Sequence, residues 1–342
     1  MIVRRRLPFR RIAYFATYLA SIGGIWSAVV YVLYTYAGLK FLRIPFLPIA
    51  TIGTAVAFYV GFKNNAAYER FWEGRKIWGG IVNSSRTWAN FVMSYIHPGS
   101  DEPASAEKRK ELIYRQLAWI NALRLQLRRT SRFFDKPARA TKKRLDNHAE
   151  HMRNDWDKEI APFLDEDEFK ELSAMANTAT HLLTKQGTEL AELVRNEKLD
   201  LFHQIAMMEI IEELYTLQGK CERIKNTPFP RLYGEYSRWF TRIFVLLIPF
   251  GLLDVFASHA AKLAPGLETF LPILPMILSS ALISWVFFSM ESIGDASEDP
   301  FERSMNDVPM NALCRTIEID LRQMLGETDL PEKEQPIDDL LY

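Results

Sequence analysis

From Ile12 to Leu39 the chain carries no Asp, Glu, Lys or Arg. A hydrocarbon core of about 30 Å needs roughly 20 apolar residues in a helix, so this run is long enough to cross one. A second uncharged run, Ile44 to Phe62, follows after only Lys40 and Arg43. Two more apolar runs come much later: Ile243 to Ala257, with Trp239 and Phe240 before it as interface anchors, and Phe270 to Met290. Pro249, Pro272 and Pro275 are placed to kink these runs, which neighbouring helices in a bundle absorb. Four spans are expected, at about residues 12–39, 44–62, 239–258 and 270–290. A cleavable signal peptide does not fit the first of them. Its apolar run far exceeds the roughly 7–15 residues of a signal h-region, and no small-x-small site closes it.

Positive charge in short flanks sets orientation. Arg4, Arg5, Arg6, Arg10 and Arg11 precede the first span, and Lys63, Arg70, Arg75 and Lys76 follow the second. The opposite linkers hold only Lys40 and Arg43 in one, and Lys262 and Glu268 in the other. Both termini and residues 63–238 are therefore expected in the cytoplasm. Forty-two basic residues balance 42 acidic ones, which argues against a nucleic-acid partner. Hydrophobic content of 48% excludes a mainly disordered chain. Two cysteines, Cys221 and Cys314, cannot form a disulfide scaffold and read as free thiols in a reducing compartment.

Between the second and third spans the periodicity is helical. Arg109 to Arg132 reads as an amphipathic helix through Leu112, Leu117, Ile120, Leu123 and Leu127. Lys185 to Glu222 shows the same spacing from Leu190 to Leu217. Pro98-Gly99-Ser100 and Thr227-Pro228-Phe229-Pro230 are breakers. The segment after Ser292 turns acidic, and residues 326–342 are expected to form a loosely ordered tail. The fold class is all-α: four spans continuous with one helical cytoplasmic region, residues 63–238 and 291–325, within a single domain of residues 1–325.

The run Gly61-Phe62-Lys63-Asn64-Asn65-Ala66-Ala67-Tyr68-Glu69-Arg70-Phe71-Trp72-Glu73-Gly74-Arg75-Lys76-Ile77-Trp78-Gly79 resembles the signature that follows the second span of bacterial bestrophins. Asn306-Asp307-Val308-Pro309-Met310, with Cys314 to Leu321, resembles their C-terminal helix. The order of spans matches as well, and the resemblance covers about Arg5 to Leu325. It implies a homopentameric ion channel around one central pore, in the inner membrane of a bacterium. It also implies a narrow neck lined by the second span, and a cytosolic aperture. Animal and plant members conduct chloride and other anions, while some bacterial relatives favour monovalent cations, so the resemblance leaves the sign of selectivity open.

Matched through Gly61-Phe62, the neck falls on Thr54, Phe58 and Phe62, which stay within about 80° of one another on a helix. Thr54 departs from the bulky apolar residue usual at the top. The aperture falls on Phe202, where an aliphatic residue is usual, with Ile205 one turn on as the second candidate. The segment matching the calcium clasp of animal members keeps Asp299, Glu302 and Asp307. It interrupts the acidic run with Arg303, Ser304 and Met305, so a solvated loop is expected and calcium is not. Asp254, inside the third span, is either a vestibule charge or a side chain reaching the interface.

An enzyme is the first rival. His148 and His151, beside Asp146 and Glu150, have i, i+3 spacing. No second cluster partners them, and a solvated face is expected. Asn83-Ser84-Ser85 matches a glycosylation sequon but falls in the expected cytoplasmic part. No phosphate loop, nucleophile elbow or cysteine zinc pattern is present, so no catalysis and no cofactor are expected. A non-conducting regulatory membrane subunit is the second rival. A secondary transporter is disfavoured because no paired broken helices recur in two halves.

Overall fold

A computed structural model describes residues 1–5, 9–96, 102–129, 146–260, 273–302 and 304–342. Pro98-Gly99-Ser100, Lys262, Glu268, Phe270, Pro272 and Arg303 lie outside the described residues. Among the described residues the order is α1 (Phe9–Thr35), α2 (Phe46–Tyr95), α3 (Glu102–Arg128), α4 (Trp156–Ile160), α5 (Glu166–Ser173), α6 (Thr178–Arg195), α7 (Leu201–Asn226), α8 (Arg231–Ala260), α9 (Ile273–Ser297) and α10 (Met310–Met324). Strand-like pairing among them is confined to isolated bridges. Helices α1, α2, α8 and α9 are long and apolar enough to cross a membrane.

The chain divides into two compact units, one of residues 4–69 and 229–298, the other of residues 1–3, 70–228 and 299–342. In the first unit α1 packs chiefly on α9, which packs in turn on α8. The α1–α9 approach is tight at Gly23, where an added Cβ would lie 2.0 Å from Ser284 Oγ and 3.0 Å from Ser280 O. Ser280 Oγ donates to Gly23 O at 3.1 Å, so small residues bring these backbones together, as apolar helices in lipid require. Pro249 sits inside α8, and one turn away Trp26 Nε1 donates to Leu246 O. Large apolar side chains face outward along whole helices: Tyr18, Ile22, Ile25, Val29 and Val32 on α1, and Leu274, Leu278, Leu282 and Val286 on α9. A soluble monomer does not tolerate apolar stripes of that length. The chain is an integral membrane protein.

Two of these helices differ in extent from the sequence expectation. Helix α1 stops at Thr35 rather than near Leu39, because Gly38 takes φ +70° and leads into a short 3₁₀ turn at Lys40–Leu42. Helix α2 does not end with its apolar run at Phe62 but continues to Tyr95. No proline falls between Pro48 and Pro98, and buried positions recur at Ala67, Ile77, Trp78, Ile81, Ser85, Trp88 and Val92. The same helical face is thus buried to its end.

The second unit is built around α3. The expected stripe Leu112, Leu117, Ile120, Leu123 and Leu127 is buried, but so is every residue from Arg115 to Leu125. Amphipathicity does not describe a helix enclosed on all sides, and several of its buried polar groups bond within the unit. Arg115 pairs with Glu168 at 2.6 Å, Gln116 Nε2 donates to Ser85 Oγ, and Trp119 Nε1 donates to Gln218 Oε1. Arg124, fully buried, donates to Glu159 Oε2, Asn311 Oδ1, Asn121 Oδ1 and the Arg153 carbonyl. Burial pushes the Cys314 thiol up to about 11 and raises Cys221 further, which keeps both protonated and inert.

The periodic stretch Lys185 to Glu222 is two helices rather than one. α6 ends at Arg195, Glu197 takes φ +58°, and Lys198 N returns to Leu193 O to close the last turn. Asp200 then caps α7, accepting from Phe202 N at 2.8 Å. The breaker at Thr227–Pro230 does separate α7 from α8. Residues 327–342 carry no helix, yet they pack rather than hang free. Leu340 and Tyr342 are buried with Met152, Ile2 forms a bridge with Leu340, and Arg153 pairs with Glu334.

Candidate functional site

Helix α2 has two faces set by its sequence. Thr51, Thr54, Phe58, Gly61, Phe62, Asn65 and Glu69 are all exposed, and at 100° per residue they share one side of the helix. Phe58 is 65% exposed and Phe62 66% exposed. A Cβ added at Gly61 would meet nothing within 4 Å among the described residues, in keeping with the exposure of this side. Ile49, Gly53, Val56, Val60, Lys63 and Ala67 fall on the opposite side and are buried. The three neck residues expected from the resemblance thus lie together on an uncovered face. Thr54 Oγ1 donates back to Ala50 O at 3.1 Å, so its hydroxyl is engaged by its own helix.

The start of α7 repeats this arrangement in the second unit. Phe202 is 79% exposed, and Leu201, Ile205 and Met208 are exposed beside it at helical spacing. Ile205 and Met208 also line a largely apolar hollow of about 580 Å³ with Ile211 and Tyr215. His203, next to Phe202, stacks flat on Tyr95 with centroids 4.0 Å apart, which fixes the first turn of α7.

The acidic candidates do not converge. Asp299 faces Arg70 at 3.6 Å, and Arg70 also donates to the carbonyls of Ile224 and Thr227. Glu302 is paired with Lys225, and Asp307 is buried. Among the described residues no three His, Cys, Asp or Glu side chains gather as a metal site. Asp254 pairs with Arg43 at 2.8 Å and accepts from Phe46 N, holding the first turn of α2 to the α1–α2 connection. The expectation of a solvated His148 is corrected. Its ring is buried, 2.6 Å from Tyr342 Oη and 3.2 Å from Asp338, whereas His151 is exposed.

A charged centre that sequence reasoning passed over lies one residue beyond Phe62. Lys63 is fully buried and bonds Glu291 at 2.6 Å and Asp295 at 2.5 Å, both on α9. Ser237 of α8 donates to the other oxygen of Glu291 at 2.6 Å. The signal was present in the sequence as Glu291 directly after an otherwise uncharged run.

Residues 18–323 match the family model described as bacterial/fungal bestrophin protein. The chain belongs to the bestrophin family. A bacterial bestrophin homolog from Klebsiella pneumoniae, known from a crystal structure, superposes with a TM-score of 0.72 at 25% identity, covering 91% of this chain and 99% of that one. The voltage-dependent anion channel-forming protein YneE of Escherichia coli K12 is 30% identical over 311 residues, 90% of this chain and 86% of its own. A voltage-dependent anion channel-forming protein of Mesorhizobium japonicum is 29% identical over 93% of this chain and 87% of its own. Bestrophin membership, the channel names of these relatives and the four apolar helices point to a channel rather than an enzyme.

Proposed function

We propose that five copies of this chain surround one pore that passes small monovalent anions, chloride among them, across the bacterial inner membrane. Both termini and the second unit lie in the cytoplasm. The observation that carries the reading is the exposed face of α2, on which Thr54, Phe58 and Phe62 lie together. Arranged around an axis, five such faces stack into rings. A ring of phenylalanine offers a passing ion no hydrogen-bonding group, so the neck gates by dewetting. Phe202 forms the cytosolic aperture, with Ile205 behind it; there an ion sheds water at a cost that depends on its size more than its sign. The channel names of the relatives support anions.

A second reading, a monovalent-cation pore, is favoured by Glu69, which is exposed on the same face of α2 with Asn65 Nδ2 bonded to its Oε1. Asp254 contributes less to that reading, because Arg43 neutralises it. Neither reading requires calcium or a cofactor. In bilayers containing the purified protein, Phe202→Ala is expected to compress the permeability differences between anions of different size. Identical ratios in native and variant channels would remove Phe202 from the pathway, and the absence of current from native pentamers would favour the regulatory-subunit reading.

A further inference from the structure

We propose that Lys63 is a positioning residue that fixes the rotation of α2 at the neck and thereby the barrier to conduction. This rests on the reading that the exposed face of α2 lines the pore. Lys63 follows Phe62 directly, and its side chain leaves the helix about 140° from Phe58, on the buried side. Its ammonium group is fully enclosed and reaches two carboxylates of α9 one turn apart, Glu291 at 2.6 Å and Asp295 at 2.5 Å. Ser237 ties Glu291 to α8, and Arg238 Nε stands 3.9 Å from Asp295. One lysine therefore joins three helices at the level of Phe62.

The neighbouring residue locks the same contact. Asn64 Nδ2 donates to Met290 O at 2.9 Å, and a Cβ on Gly294 would lie only 2.2 Å from Asn64 Oδ1. With no Cβ, Gly294 leaves room for the Asn64 amide beside α9, so the two helices meet through this hydrogen bond as well as through charge. Any rotation of α2 that carries Phe62 away from its present direction draws a buried ammonium off two carboxylates. An uncompensated buried charge is costly, which makes the rotation stiff. Lys63 touches no exposed surface and so meets no permeating ion; it acts through the direction in which Phe62 points.

The test uses the full-length chain in bilayers. Lys63→Met keeps the side-chain bulk and removes the charge, and it is expected to raise single-channel conductance about fivefold, as the neck loses its fixed orientation. Lys63→Arg, which retains the cation, is expected to restore most of the native value. A lysine acting through the neck has no further effect once Phe58 and Phe62 are both alanine. Native conductance in Lys63→Met, or the same fivefold change in the alanine background, overturns the proposal while leaving the neck in place. Native conductance in the double-alanine channel alone refutes the pore reading and the proposal with it. Should Lys63→Met fail to assemble, Glu291→Gln, which preserves shape and the Ser237 bond, is read by the same criteria.

Discussion

Replacing Phe58 and Phe62 together by alanine is expected to raise single-channel conductance about tenfold, the result of taking about 1.4 kcal/mol from the barrier. Within the apolar run of α2 the two rings are the bulkiest groups on this face, and they are 65% and 66% exposed. Truncating them leaves no cavity in a core, so the cost in stability is small. The effect falls instead on water: a wider and less apolar constriction stays wetted, and an ion crosses with more of its hydration shell. In the proposed neck either ring alone would narrow the pore, so each single variant is expected to show less than half of the logarithmic gain. Unchanged currents in the double variant would place the constriction elsewhere, and greatly reduced assembly would mean that the two rings pack against neighbouring chains.

The second large effect is on stability, from Arg124→Leu. Removing one partner of a buried ion pair costs roughly 3–5 kcal/mol, and the lower end applies because Glu159 keeps Arg153 at 2.6 Å. What is lost is a fork serving four acceptors at once. Asn311 Oδ1 at 2.6 Å and the Arg153 carbonyl at 2.8 Å are left facing a leucine. These groups lie on α10 and between α3 and α4, so the substitution loosens three elements of the second unit together. A loss of about 3 kcal/mol corresponds to a fall of roughly 6–12 °C in melting temperature. Melts of the purified protein in detergent measure it. A melting temperature within 2 °C of native, a bound taken from the same scaling, would show that the buried network stabilises little.

The spans were legible because the bilayer imposes a simple code: a long run without charge, flanked by basic residues. The neck and aperture positions came from the resemblance, since α2 is apolar on every side through its span and periodicity alone cannot select a face. The fold supplies what periodicity lacks, burying Val56, Val60 and Lys63 and exposing Thr54, Phe58 and Phe62. The Lys63–Glu291 pair escaped because its partners are 228 positions apart and each, taken alone, looks like a flanking charge at the end of a span.

Local pattern also failed where burial was total. Arg115, Gln116, Asn121 and Arg124 look like the wet side of α3, but each is enclosed and bonded. The break between α6 and α7 is marked only by Asn196 to Asp200, polar apart from Leu199 and without glycine or proline, in which Glu197 takes the left-handed conformation that glycine usually supplies. The charged neighbours of His148 predict a solvated ring, whereas its partners are Tyr342 and Asp338 at the far end of the chain.

The most direct test is the reversal potential of purified pentamers in a planar bilayer under a NaCl gradient, with the native mass confirmed beforehand as five chains of 39.6 kDa. An anion pore with the neck described here predicts a shift toward the chloride equilibrium potential. A shift toward the sodium potential would contradict it and make Glu69 the residue that sets the sign.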